Sequence, residues 1–232
     1  MKQLKINKYH FSRCLNIILL FFSIVSCVSE TRFTKFKYNS IESQANLLKK
    51  YYQQVLTSTG KKRAKYERLF FDAFPSSFVN YLRLYGYGYK KEPALLWTEH
   101  ALLYDEVYKE DGYGHIQLFY DLKCINKELY YNKYIDIYIG GWWGADVIGD
   151  FGLYGKLMED TEECVTILLK RSREELLSVF YFMFDKPHPE PIGSNSAYKD
   201  LYEKVAKFSA ELAEIIQTAY ELVLHHHSFF VD

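Results

Sequence analysis

The sequence is poor in cysteine and lacks the residue patterns that common enzyme sites require. Four cysteines occur among 232 residues, too few to build a disulfide-stabilised scaffold. No zinc-protease helix motif, phosphate-binding loop or nucleophile-elbow motif is present. We therefore expect a binding protein that is not an enzyme and that uses no cofactor and no metal ion.

Apolar runs long enough to cross a membrane are missing as well. A spanning helix needs about 20 mostly apolar residues, whereas the apolar run over residues 14–25 has only about a dozen. A basic leader without acidic residues comes before it, and its charges are Lys2, Lys5, Lys8 and Arg13. A basic leader followed by a short apolar run is typical of a signal peptide.

The end of this leader resembles the lipobox of bacterial lipoproteins. Ile24-Val25-Ser26-Cys27 has an aliphatic first residue, a small third residue and cysteine in the fourth place. The resemblance implies cleavage before Cys27 and lipid attachment to its thiol, and more than one acyl chain anchors a protein stably. A plain secretory signal and a retained anchor are the alternatives. Val28 stands where lipoproteins of the inner membrane have Asp, which implies a lipid anchor in the outer membrane of the cell envelope.

These features divide the chain into a signal peptide (1–26), a lipidated tether (27–39) and a helical domain (40–232). Charge is uneven along it, although the total of 29 basic and 29 acidic residues balances. Residues 28–70 carry ten basic and three acidic side chains, and residues 71–232 carry fifteen and twenty-six. The basic segment either favours an anionic membrane surface or forms a solvated helix face. The acidic remainder argues against nucleic acid as a partner.

Apolar spacing and capping residues predict a single all-α domain of several helices. Ser40 caps a first helix, Ser76 or Ser77 and Asn126 cap later ones, and a further helix covers residues 94–109. Two capping boxes are predicted, at Asp160 with Glu163 and at Ser172 with Glu175. One long final helix is predicted from its apolar seam: Leu201, Val205, Phe208, Leu212, Ile215, Ala219 and Leu222.

Cysteine and histidine offer few candidate sites. Cys124 and Cys164 either pair or remain buried free thiols, and we favour the thiols. The tract 225–227 is three histidines, and Asp185, His188 and Glu190 share a proline-rich loop. Both sets contain metal-ligand residue types. Because consecutive helix residues point in different directions, one ion cannot easily bind all three histidines, and we interpret the tract as a basic helix end and the loop as a plain surface turn.

Partner-binding residues are predicted around a glycine-rich bend and a tyrosine-rich loop. The bend, Gly140 to Asp146, contains two adjacent tryptophans between glycines. Acidic groups steer basic partners, and Trp and Tyr often dominate interface energy. The candidate contacts are therefore Trp143, Asp146, Asp150, Tyr87 and Tyr89.

Residues 70–191 resemble small helical immunity-type proteins encoded beside antibacterial toxins. The similar segments are 70–75, Phe78 with 84–87, 139–142 with Ala145 and Asp146, 180–185 and 187–189. The resemblance implies a protein that binds and neutralises a cognate toxin. A glycan-binding lipoprotein that stacks sugars on Trp97, Trp142 and Trp143 is the main alternative. An envelope assembly factor and an enzyme are the others.

The lipobox generates the first testable prediction. Replacing Cys27 with Ala removes the only thiol that the lipobox offers for acylation, so lipid attachment should be lost. Metabolic labelling of cells with a fatty-acid probe measures this directly. Equal labelling of the wild type and the Cys27→Ala variant would refute lipidation at this residue.

Overall fold

Polar caps set where the helices of this chain begin. In the computed structural model, which describes residues 40–86, 101–106, 114–142, 152–186 and 188–228, the hydroxyl of Ser40 accepts from the Ser43 backbone N–H at 3.1 Å. The Ser43 hydroxyl accepts in return from the Ser40 N–H. Ser172 and Glu175 form the same reciprocal pair. These caps satisfy backbone donors that the first helical turn leaves without helical partners.

Ten α-helices and one short 3₁₀ turn make up the described part of the chain. They are α1 (Ile41–Leu56), α2 (Gly60–Ala73), α3 (Phe78–Tyr85), the 3₁₀ turn (Tyr104–Glu106), α4 (His115–Asp121), α5 (Lys127–Tyr138), α6 (Leu153–Glu159), α7 (Thr161–Leu168), α8 (Arg173–Phe184), α9 (Ser196–Ala206) and α10 (Ala210–Ser228). No strand occurs among these residues, which confirms the all-α prediction. They all belong to one compact unit, Tyr38–Asp232. None of the described helices is long and apolar enough to cross a membrane.

Neighbouring helices enclose one core that is rich in aromatic side chains. α1 packs against α2, and α8 lies beside α10, which also contacts α9. The helix α5 connects these groups because it contacts α3, α7 and α8. Large side chains with almost no exposure fill the centre: Tyr81, Tyr85, Tyr134, Tyr138, Tyr220, Phe70, Phe119, Phe180 and Phe182. Ring pairs such as Phe74 with Phe119, 4.1 Å between centroids, are stacked or tilted, as aromatic cores prefer.

Several buried tyrosines form hydrogen bonds through their hydroxyl groups. Tyr130 donates to the carbonyl oxygens of Phe119 and Tyr120, and the Tyr138 oxygen accepts from the Leu153 N–H. Tyr85 bonds to Nδ1 of His115, a histidine with no exposed surface, at 2.9 Å. Burial raises the pKa of Tyr85 well above its usual value, so this hydroxyl stays protonated.

The predicted long final helix is wrong, because the chain breaks it into α9 and α10. The break falls at residues 207–209, where Ser209 accepts from the Leu212 N–H at 3.1 Å and begins a new helix. Leu212 is fully buried, whereas Phe208 is 49% exposed. The apolar spacing continues across this turn, and the Ser209 cap then begins α10.

Three other predictions need a correction. Asp160 lies at the start of α7 but forms no capping bond there, because its carboxylate accepts from Tyr131 instead. Within the predicted helix 94–109, residues 101–106 form a turn and a 3₁₀ turn. Cys124 and Cys164 are free thiols as favoured, but Cys124 is exposed rather than buried.

The glycine-rich bend starts as predicted. Gly140 has φ of 73°, a conformation that L-residues rarely adopt. A Cβ added to Gly141 would lie 2.4 Å from the Phe182 ring, so this backbone packs directly on the core. Trp142 follows and is 44% exposed.

Because the final helix is broken, two apolar residues near the break should differ in how much their loss destabilises the fold. Leu212→Ala should lower the free energy of unfolding by about 2–5 kcal/mol because it leaves a cavity. Phe208→Ala should lower it by less than about 1 kcal/mol because the ring is half exposed. Urea denaturation measures both values. Equal losses in the two variants would contradict the break at residues 207–209.

Candidate functional site: an acidic groove

The residues predicted to carry function lie outside the part that the structure describes. These are the lipidation residue Cys27 and the partner contacts Tyr87, Tyr89, Trp143, Asp146 and Asp150. Trp97, one of the tryptophans considered for sugar stacking, lies outside it too. A site on the described surface therefore has to be found from its own geometry.

An open groove of about 660 Å³ lies on the described surface. We call it the acidic groove, and its lining residues are Glu128, Glu159, Asp160, Thr161, Glu162, Glu163, Thr166, Ile167, Lys170 and Phe208. Five of these are carboxylates and one is an ammonium group. The groove combines the start of α5, the junction of α6 with α7, and the turn between α9 and α10.

Lysines at the groove pair with most of its carboxylates. Lys127 contacts Glu163 at 2.7 Å and Asp160 at 3.2 Å, and Lys170 contacts Glu128 at 2.7 Å. Both lysine side chains are more than half exposed. Exposed ion pairs of this kind contribute only about 0–1 kcal/mol each, so they exchange partners readily.

Two tyrosines hold groove carboxylates in place. The Tyr131 hydroxyl donates to Oδ2 of Asp160 at 2.6 Å, and the Tyr120 hydroxyl donates to Oε1 of Glu159 at 2.7 Å. These bonds are the main reason why the pKa values of Asp160 and Glu159 lie below their usual range. The Tyr131 ring is buried, so the bond fixes Asp160 to the core. Both carboxylates therefore stay ionised to a lower pH than carboxylates without such a donor.

The groove also has an apolar edge. Phe208 and Ile167 both line it, and Phe208 is half exposed whereas Ile167 is buried. Two more exposed apolar residues are next in sequence to groove residues: Leu129, after Glu128, and Leu169, before Lys170. A rim of charge around exposed apolar side chains is typical of a protein-binding surface.

This site was not predicted from the sequence. The acids of the groove are dense over residues 159–163, where only Thr161 is uncharged. That density was the available signal. The positions of Glu128 and Phe208 could not be predicted, because they reach the groove through tertiary packing of distant helices.

The histidine tract lies beside Asp185 in the structure. Asp185 meets His226 and His227, and His227 Nε2 lies 2.8 Å from Asp185 Oδ1. His188 and Glu190, the loop residues considered with Asp185, are not part of this group. The structure thus joins Asp185 from the loop set with two of the three histidines of the tract.

Comparison with known proteins provides no relative from which to transfer a function. No protein-family model, no curated protein and no solved structure matches the chain. The function must therefore be inferred from the chemistry of the surface.

The tyrosine bonds predict a specific shift in carboxyl titration. Tyr131→Phe removes the donor to Asp160, so the Asp160 pKa should rise toward the ordinary value of about 3.9. Because the folded-state pKa is depressed, the stability from this bond is present above the unfolded-state pKa and is lost as the pH falls through the folded one. Carbon-detected NMR titration of the carboxyl groups measures the pKa.

Tyr120→Phe is the matched control for this experiment. It removes the same kind of bond from Glu159, so it should raise the Glu159 pKa and leave Asp160 nearly unchanged. An Asp160 pKa that is the same in wild type and Tyr131→Phe would show that the hydrogen bond does not hold this carboxylate.

Proposed function

We propose that this chain is a lipid-anchored, periplasm-facing immunity-type protein that binds and neutralises an antibacterial toxin. The observation that carries the proposal is the acidic groove with the exposed Phe208 at its edge. A secreted toxin with a basic face is the partner that this surface fits. The lipobox-like segment at Cys27 and the resemblance of residues 70–191 to immunity-type proteins support the same function.

Electrostatics explain how the groove would recognise such a partner. Five carboxylates in one concave surface raise the local concentration of cationic groups and speed association. Tyr131 and Tyr120 hold two of these carboxylates, so less side-chain entropy is lost when a partner binds. The complex should weaken with salt, because exposed charges are screened over about 8–10 Å at physiological ionic strength.

Replacing the lysines that now pair with groove carboxylates by side chains of a partner would cost little free energy. Lys127 and Lys170 bind groove carboxylates through exposed ion pairs. Arginine side chains of a toxin would displace these lysines, and an arginine can bind a carboxylate with two parallel hydrogen bonds. The displaced lysines return to water at little cost.

Contact between a partner and the apolar edge of the groove would add binding free energy to that from the charges. Full burial of an exposed Phe side chain contributes about 1.5–3 kcal/mol, and Phe208, which is 49% exposed, would contribute about half of that when a partner covers it. The charges around it would then select a basic partner over other apolar surfaces. Tethering through Cys27 would hold this surface at the membrane, where an envelope-directed toxin acts.

Two charge-reversal variants test the proposal in cells. Glu162 and Glu174 are both exposed, and both occupy the second position of a helix, α7 and α8 respectively. Only Glu162 lines the groove. A strain that lacks the gene should lose in competition with its toxin-producing parent, and Glu174→Lys should restore protection as well as wild type does.

Glu162→Lys should restore protection poorly at an equal protein level, because it weakens toxin binding by about tenfold or more. Survival counts in co-culture provide the measurement, and immunoblots verify the protein level. If the deletion strain competes as well as wild type, the immunity function is refuted. If both variants protect equally, the groove is not the binding surface.

An envelope-glycan-binding function is the alternative, and Trp142 favours it. Its indole is 44% exposed, and exposed indoles stack on sugar rings. This function predicts that Trp142→Ala lowers the retention of the protein on purified cell-wall material and that deletion leaves competition unchanged.

A further inference from the structure

We propose that Asp185, His226 and His227 form a binding site for a divalent transition-metal ion, with Zn²⁺ as the best match. We call these three residues the His–Asp cluster. They are the one group of potential metal ligands of this size among the described residues. Asp185 follows the end of α8, and both histidines lie in the last turn of α10.

The distances within the cluster suit one ion. One nitrogen of each imidazole and one oxygen of Asp185 all lie within 4.8 Å of one another. In a tetrahedral Zn²⁺ site with ligands at about 2.0–2.1 Å, the ligand atoms lie about 3.4 Å apart. The Asp185 Oδ1 to His227 Nε2 distance of 2.8 Å is slightly shorter than this. Small side-chain rotations would therefore place all three ligands around an ion.

Packing between α8 and α10 explains how two consecutive histidines can contribute to one metal site. Side chains of adjacent helix residues point about 100° apart, so they diverge from one helix. The carboxylate of Asp185 comes from the neighbouring helix end, and its contact with His227 sets it beside the tract. His226 turns toward the same helix, because its Nδ1 lies 2.7 Å from the Tyr181 hydroxyl.

The cluster is preorganised in the way that metal sites usually are. Asp185 is only 5% exposed, so its orientation is restricted by the surrounding protein. A ligating histidine normally donates its other ring N–H to a fixed acceptor. In the tautomer of His226 that donates Nδ1–H to the Tyr181 oxygen, Nε2 carries the lone pair for the ion. Exposed His226 gives an ion access from solvent, and water would complete the coordination.

Two imidazoles and one carboxylate select the class of metal. Imidazole nitrogen suits Zn²⁺ and its transition-metal neighbours, whereas Ca²⁺ and Mg²⁺ prefer oxygen ligands. A bound ion would tie the last turn of α10 to the end of α8. Because the unfolded chain lacks this arrangement, binding would stabilise the folded state.

Zn²⁺ titration of the tag-free protein by calorimetry tests the site. The wild type should bind one equivalent of Zn²⁺. His226→Gln and Asp185→Asn should each weaken binding by about 100-fold or more, since even loss of an outer-sphere partner costs 10–100-fold. Tyr181→Phe should weaken it by about tenfold. His225→Gln is the matched control, because it changes an adjacent exposed histidine outside the cluster and should bind like wild type.

Three results would overturn the proposal. The wild type could fail to bind Zn²⁺, Asp185→Asn could bind as tightly as wild type, or His225→Gln could weaken binding as much as His226→Gln does. The last two would indicate adventitious binding by the histidine tract. Melting temperatures measured without metal show whether each variant folds. If Asp185→Asn is destabilised, the Zn²⁺ affinity of the exposed His226→Gln variant determines whether the cluster binds the ion.

Discussion

Hydrogen bonding by buried tyrosine hydroxyls is the constraint on which the rest of this structure depends. A tyrosine ring fills the core, and a hydroxyl that is buried there without a hydrogen bond costs about 1–3 kcal/mol. Several hydroxyls find a partner at a helix end: Tyr131 at Asp160, Tyr138 at Leu153 and Tyr181 at His226. Packing of the core thereby fixes polar groups at the surface.

Both proposed sites depend on this arrangement. Tyr131 in α5 orients Asp160 in the acidic groove, and Tyr181 in α8 orients His226 in the His–Asp cluster. A rigid core that presents fixed charges is suited to tight and specific binding, because little order has to be imposed when a partner arrives. The proposed immunity function uses one such surface, and the proposed metal site would reinforce a different part of the fold.

Helix positions were predictable from the sequence where the signal is local. The caps at Ser40 and Ser172 and the all-α class are confirmed, because capping involves residues only three positions apart. Asp160 has the same local signal, yet its carboxylate bonds to Tyr131, 29 residues away. Phe208 matched an apolar seam but lies in a turn. The contacts predicted at Trp143, Asp146, Asp150, Tyr87 and Tyr89 remain predictions.

Hydrogen–deuterium exchange of the protein with and without the toxin that the proposed function requires tests the groove most directly. Amides of residues 159–170 and 207–209 should exchange more slowly in the complex, since these segments line the groove. Amides of α1 and α2 should exchange equally in both states. If exchange is slower in α1 and α2 and is unchanged around residues 159–170, the groove is not the binding surface.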